Sequence, residues 1–135
     1  MQNNIEEINE DLEKVVDGSK FDEIIEDISK WGKILMIKIT PSFVIEIKDF
    51  MPTGTYGHGY YNFNTKGSSI SGHLKANDIE KIVFSSKVHR GMLSHSVSFN
   101  DANGENIFKV FVTRNENKEI IKDQFDKFIA LRDSF

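Results

Sequence analysis

The sequence predicts an α+β fold: a large antiparallel β-sheet with helices before it and one helix after it. Three observations lead there. Apolar residues recur at helical spacing near both ends of the chain; between them the pattern changes to short β-branched runs. Those runs follow one another without room for a helix between them, so neighbouring strands should pair antiparallel. At 135 residues the chain fits one domain, 1–135, with no internal repeat or low-complexity segment.

Ile5, Ile8, Leu12, Val15 and Val16 in an acidic background predict an amphipathic helix over 4–16. Asp17-Gly18-Ser19 breaks it. Phe21, Ile24, Ile25 and Ile28 share one face of a second helix over 21–30, ended by Trp31-Gly32. KILMIKI (33–39) and FVIEIKDF (43–50) then read as a hairpin around Thr40-Pro41-Ser42. Further strands are expected at 58–64, 69–76, 79–86, 94–100 and 107–113, the last two joined through Asp101-Ala102-Asn103-Gly104. Ile120, Ile121, Phe125, Phe128 and Ile129 mark a closing helix, with Asn115 or Asn117 to cap its start.

Composition narrows function. Hydrophobic residues at 39% and charged residues at 28% suit a globular rather than a disordered chain. The net charge is −4 and the basic residues are scattered, so no nucleic-acid stripe is expected. With no cysteine, disulfides, zinc–thiolate sites, iron–sulfur clusters, thiol nucleophiles and covalent C-x-x-C-H haem attachment are excluded together. MQNNIEEINEDLEKVV lacks a basic n-region and an apolar h-region, and no apolar run reaches bilayer length. The expectation is a cytoplasmic protein without a membrane partner.

Chemistry-bearing residues concentrate in YGHGYYNFNTKGSSISGHLKA (56–76), which holds two of the four histidines, each flanked by glycine, and all three tyrosines. Strand alternation over 58–64 puts His58, Tyr60, Asn62 and Asn64 on one face. Over 69–76 it puts Ser69, Ser71, His73 and Lys75 together. His95 instead aligns with Val97 and Phe99 and reads as a core histidine; His89 beside Arg90-Gly91 reads as a solvated loop residue. On the residues alone, His58 and His73 are either metal ligands beside backbone that lets a flat group approach, or residues of a bent sheet edge.

No H-x-x-x-H metal pair, G-x-S-x-G elbow or phosphate-binding glycine loop occurs, and the acidic residues concentrate on the helices. Haem asks for other parts: axial donors, apolar surface for a flat ring, and cations for its propionates. The sequence contains all three.

The segments ISKWGKILMIKI (28–39), PTGTYGHGYYNF (52–63), SGHLKA (71–76), RGMLSHSVSFNDANGENIFKVFVTRNENKEII (90–121) and DQFDKF (123–128) together resemble the ChuX/HutX family of cytoplasmic haem-utilisation carriers. The combination of GHGYYN, SGHLKA and GMLSHS is the specific part. The resemblance takes 20–135 as the family-matching core behind an N-terminal helix and turn at 1–19. It implies a dimer of chains that each look like one half of the two-repeat haem-degrading proteins. It further implies non-covalent haem in a cleft beside the sheet, passed to a haem-degrading enzyme, with no catalysis by the carrier itself.

By the same resemblance His73 is the iron ligand. His58 and Tyr60 are its neighbours, and Lys75 and Arg114 are candidates for the propionates; for Arg114 a contact to the closing helix is the competing role. Some members carry another histidine on the strand after the W-G pair. Here that strand is KILMIKI, where Met36 is the available soft donor. Phe63, Phe84 and Phe99 read as core. Two other functions fit the same residues: a docking module for a haem-processing enzyme with weak haem affinity, and an enzyme modifying a tetrapyrrole.

Overall fold

The computed structural model describes residues 12–135. A six-stranded sheet runs in the order β1-β7-β8-β9-β2-β3 and a three-stranded sheet in the order β4-β5-β6. The strands are β1 (Leu12–Asp17), β2 (Lys33–Thr40), β3 (Phe43–Phe50), β4 (Gly54–Gly57), β5 (Tyr60–Phe63), β6 (Gly72–Leu74), β7 (Ile79–His89), β8 (Met92–Asp101) and β9 (Asn106–Phe111). All their pairings are antiparallel. Two helices, α1 (Phe21–Ile28) and α2 (Lys122–Asp133), complete the described fold. Neither is long and apolar enough to cross a membrane.

Period-two alternation gives the large sheet one buried face. Ile34, Ile82, Phe84, His95, Val97, Phe99, Phe108 and Val110 point inward. The apolar side of α1 (Phe21, Ile24, Ile25, Ile28) and Phe128 and Leu131 of α2 close over them, with Trp31 packed edge-on to Phe128. Phe84, Phe99 and Phe128 are fully buried, so truncating any one to alanine costs about 3–5 kcal/mol. The opposite face is an open concave surface, apolar at Leu35, Ile37, Ile39 and Val44 and lined with Ser85, Ser96 and Ser98 towards its middle.

Leu12–Asp17 form a strand, not the end of the expected helix 4–16; residues 4–11 lie outside the described part. The apolar spacing of Leu12, Val15 and Val16 suits either element, and the edge of β7 decides between them. Leu12 pairs Ser86, Lys14 pairs Phe84 and Val16 pairs Ile82, which satisfies backbone groups and buries Val16. A 3-10 turn, Gly18–Lys20, follows, with Asp17 accepting from the Ser19 amide at 3.0 Å. Gly18 is obligatory there, since a Cβ would sit 2.0 Å from the Ile79 carbonyl oxygen.

The β2–β3 hairpin forms as expected, with Thr40 paired to Phe43 around Pro41-Ser42. Strands β7 and β8 run longer than expected, so His89 closes β7 rather than lying in a loop; its side chain is exposed. Of 69–76 only Gly72–Leu74 is strand, because Ser68 and Ser69 bond to the Phe50 carbonyl (2.7 Å) and the Asp49 carboxylate (2.7 Å). Asn115 and Asn117 do not cap α2. The Asn115 side chain accepts from the Asn117 and Glu119 amides and makes its own turn, while Ile121 takes the cap position.

His95 is the core histidine that the alternation indicates. Its Nδ1 lies 2.7 Å from Ser86 Oγ, and its ring packs on Phe125 and Phe128. Burial, then the positive charges of Arg114 and Arg132, push its pKa down to about 4 from 6.5. The folded protein therefore keeps His95 neutral at a pH where the unfolded chain binds a proton. Stability is complete above pH 6.5 and falls as the pH drops towards 4, by about 3 kcal/mol from this group. Urea unfolding at pH 7.5, 5.5 and 4.5 should show that loss in the wild type, with a shallower pH slope in His95→Leu. Equal slopes would refute the assignment.

Candidate functional site

The small sheet is held by one inward side chain. Tyr61 is buried with its ring edge-on to Phe21, Phe63 and Tyr56 at centroid distances of 5.1, 5.2 and 5.1 Å. Its hydroxyl accepts from the Gly54 amide at 2.6 Å. Burial raises its pKa, which disfavours the phenolate and with it a metal-ligating role. Because neighbouring side chains alternate, fixing Tyr61 inward turns Tyr60 and Asn62 outward.

Strand β6 adds the other half. Asn62 stands directly across from His73, and His73 Nδ1 lies 2.6 Å from Asn62 Oδ1. The Tyr60 ring is edge-on to the imidazole at 5.9 Å, and Lys75 Nζ lies 5.8 Å from the centre of the Tyr60 ring. Tyr60, His73 and Lys75 are all exposed. Among the described residues His73 Nε2 has no hydrogen-bond partner, which leaves it open to a ligand.

Of the residues singled out by sequence, Tyr60, His73 and Lys75 thus come together. His58 departs from the expected strand 58–64. His58 and Gly59 form the tight turn between β4 and β5, with φ of 54° and 84° and Gly57 paired to Tyr60. Positive φ at both central residues is what a two-residue hairpin needs, and it lifts His58 out of the pleat to the exposed hairpin tip. Met36 lies on the core side of β2, paired with Ile47 and Val110 and packed against the core. The Arg114 guanidinium donates to the carbonyls of Leu93 and Lys118, the latter at 2.8 Å, and lies on the open face of the large sheet. Its partners are backbone groups outside the closing helix. Phe84 and Phe99 are core, and Phe63 packs partly buried against it.

Asn62 is the residue that sequence reasoning left without a role. Alternation put it beside Tyr60, but its pairing with His73 depends on the β5–β6 register, which no local pattern encodes. Among the described residues no group of three or more His, Cys, Asp or Glu side chains is placed to hold a metal ion. Around Asn62 the ribbon therefore presents the His73 imidazole, the Tyr60 phenol and the Lys75 ammonium, with the His58 imidazole exposed at its hairpin tip.

Fold and site together define a single-repeat antiparallel-sheet protein with an exposed histidine engaged through one ring nitrogen. The chain belongs to the haem utilisation ChuX/HutX family, whose profile matches residues 14–131. It is 35% identical over 123 residues to the intracellular heme transport protein HutX of Vibrio cholerae, covering 91% of this chain and 64% of that one. The chain thus spans just under two thirds of this curated relative. Among solved structures, a protein of Agrobacterium tumefaciens superposes with a TM-score of 0.87 at 39% identity, over 91% of this chain and 71% of the other. The heme-binding protein ChuX gives 0.84 at 28%, over 90% and 76%. The fold also recurs in ChuS, an Escherichia coli heme oxygenase, at TM-score 0.73 and 16% identity over 36% of that longer chain. This agrees with the expected likeness to part of a two-repeat protein.

Gly54 tests the ribbon. A Cβ there would lie 1.8 Å from the Asn62 carbonyl oxygen, so Gly54→Ala must force β4 away from β5. We expect a lower melting temperature and loss of the Asn62–His73 contact, read from the His73 ring resonances. An unchanged melting temperature and an unchanged His73 environment would contradict the close approach.

Proposed function

We propose that this protein is a cytoplasmic haem carrier: it binds haem non-covalently and passes it to a haem-degrading enzyme, without chemistry of its own. The observation that carries this reading is the exposed His73, bonded at Nδ1 and open at Nε2 among the described residues. A bare metal ion needs several protein ligands, and the described residues supply no such cluster. A metalloporphyrin brings four equatorial nitrogens with it and asks the protein for one axial donor. Tyr60 beside His73 offers an aromatic edge to the ring, and Lys75 a cation for a propionate. His58 or Tyr60 would be the candidate for a second bond to the iron. Met36 would have to leave its packing to serve, and Arg114 would have to exchange its carbonyl partners for a propionate.

The names of the relatives support the same reading: HutX is called an intracellular heme transport protein and ChuX a heme-binding protein. A single protein bond to iron also suits a carrier, since each further strong bond slows release.

The open face of the large sheet belongs to the same proposal, with a second copy of this chain as its occupant. Ile39 and Val44 are 53% and 56% exposed there. Glu13 and Glu46 share the face with Lys48, Lys87 and Lys109, so it carries both signs of charge and can complement itself across a two-fold axis. Light scattering should give a dimer for the wild type and a monomer for Ile39→Glu/Val44→Glu; a monomeric wild type would rule the assembly out.

The decisive experiment is a haemin titration followed at the Soret band, with His73→Ala and His58→Ala alongside. The wild type should saturate, and His73→Ala should bind at least about tenfold more weakly, equivalent to about 1.4 kcal/mol. Unchanged binding by His73→Ala would move the iron to another donor. No saturable binding by the wild type would overturn the carrier reading.

A further inference from the structure

We infer that Asn62 is a positioning residue that sets the tautomer of His73, holding the proton on Nδ1 and presenting the Nε2 lone pair outward as the ligating atom. The inference rests on the haem-carrier reading for its purpose, but its physical content belongs to the protein without haem.

The argument begins with the amide, not the imidazole. An Asn side chain can present either its oxygen or its NH2 group, and the surrounding polar atoms decide which. Asn62 Nδ2 faces three backbone carbonyls, those of Thr55 (3.1 Å), Gly57 (3.3 Å) and Tyr60 (3.4 Å). A carbonyl accepts and does not donate, so the NH2 group belongs on that side. Reversing the amide would set its oxygen against three acceptors. With Nδ2 committed to the hairpin, Oδ1 is the atom that meets His73 Nδ1 at 2.6 Å. An amide oxygen only accepts, so Nδ1 must carry the hydrogen.

The neutral imidazole has one N–H, so its lone pair lies on Nε2, the nitrogen with no partner among the described residues. Three features of the hairpin therefore reach the ligand through one side chain. The β4–β5 turn sets the carbonyls, the carbonyls set the amide, and the amide sets the imidazole. Coordination through Nε2 then needs neither loss of a proton nor a tautomer change. The hydrogen bond at Nδ1 fixes the ring plane and the tautomer, as outer partners of metal-bound histidines do.

The test is long-range proton–nitrogen NMR of the His73 ring in protein free of haem, on the wild type, Asn62→Leu and Asn62→Asp. The wild type should show a protonated Nδ1 and an unprotonated Nε2. Asn62→Leu should lose that preference and bind haemin about 10- to 100-fold more weakly. Asn62→Asp keeps an acceptor for Nδ1 but turns its second oxygen towards the three hairpin carbonyls, so it should retain the tautomer at a lower melting temperature and bind haemin with a reduction potential below the wild-type value.

A wild-type ring protonated on Nε2, or a tautomer indifferent to Asn62→Leu, would overturn the inference. If Asn62→Leu does not fold, the wild-type and Asn62→Asp ring signals decide the matter alone. If Asn62 merely braced the turn, both variants would weaken binding alike and leave the tautomer unchanged. Failure of the wild type to bind haemin would strike the carrier reading instead, and the ring signals of the apo protein would still answer for Asn62.

Discussion

Tyr61 inserted against Phe21 is the contact on which the arrangement of the site depends. The three-stranded ribbon is too short to be stable alone, since small sheets need a packed face. Its packed face is Tyr61, Phe63 and Leu74, with Phe21 in turn edge-on to Phe99 of the large sheet at 5.9 Å. The chain of rings from β5 through α1 to β8 therefore joins the two sheets. The Tyr61 hydroxyl adds a directional element by accepting from Gly54. Once residue 61 faces in, the pleat leaves residues 60 and 62 no choice but to face out, and the β5–β6 register brings His73 alongside Asn62.

The same pleat sorts the histidines into opposite fates. His95 lies on the inward phase of β8, bonded to a serine, packed between two phenylalanines and held neutral by burial and by two arginines. Arg114 contributes there without a direct bond, and its own hydrogen bonds go to the carbonyls of Leu93 and Lys118. His73 lies on the outward phase of β6, with one nitrogen engaged and the other open. Residue type alone does not separate the two; phase along the strand does.

The sequence made that phase legible where alternation was long and clean. Ser94, Ser96, Ser98 and Asn100 against His95, Val97 and Phe99 could be assigned without a structure, and so could the apolar face of α1 and the hairpin around Pro41-Ser42. It failed where a non-local partner decided the outcome. Residues 12–16 carry a helical pattern, yet the free edge of β7 turns them into a strand. His58 looked like a strand residue because Gly57-His58-Gly59 lacks the Asn-Gly signature of a two-residue turn, although its conformation is of that kind. Asn62 was visible as a neighbour of Tyr60, but its value comes from a cross-strand pairing and three carbonyls that only the folded hairpin assembles.

A site built this way is well ordered in detail and lightly supported as a whole. The imidazole is oriented by a hydrogen bond that the hairpin itself determines, yet the ribbon carrying it has strands of four, four and three residues. Short ribbons open more readily than the central strands of a large sheet. For an enzyme that would be a weakness, since catalysis asks for a rigid constellation. For a protein that must both take up a large flat ligand and release it, the combination is consistent. In the proposed carrier a preset donor would lower the cost of forming an iron bond, while a ribbon anchored through Tyr61, Phe63 and Leu74 could release its ligand without disturbing the core behind it. On the proposed function, the large sheet and α2 would be the scaffold and the small sheet the place of exchange.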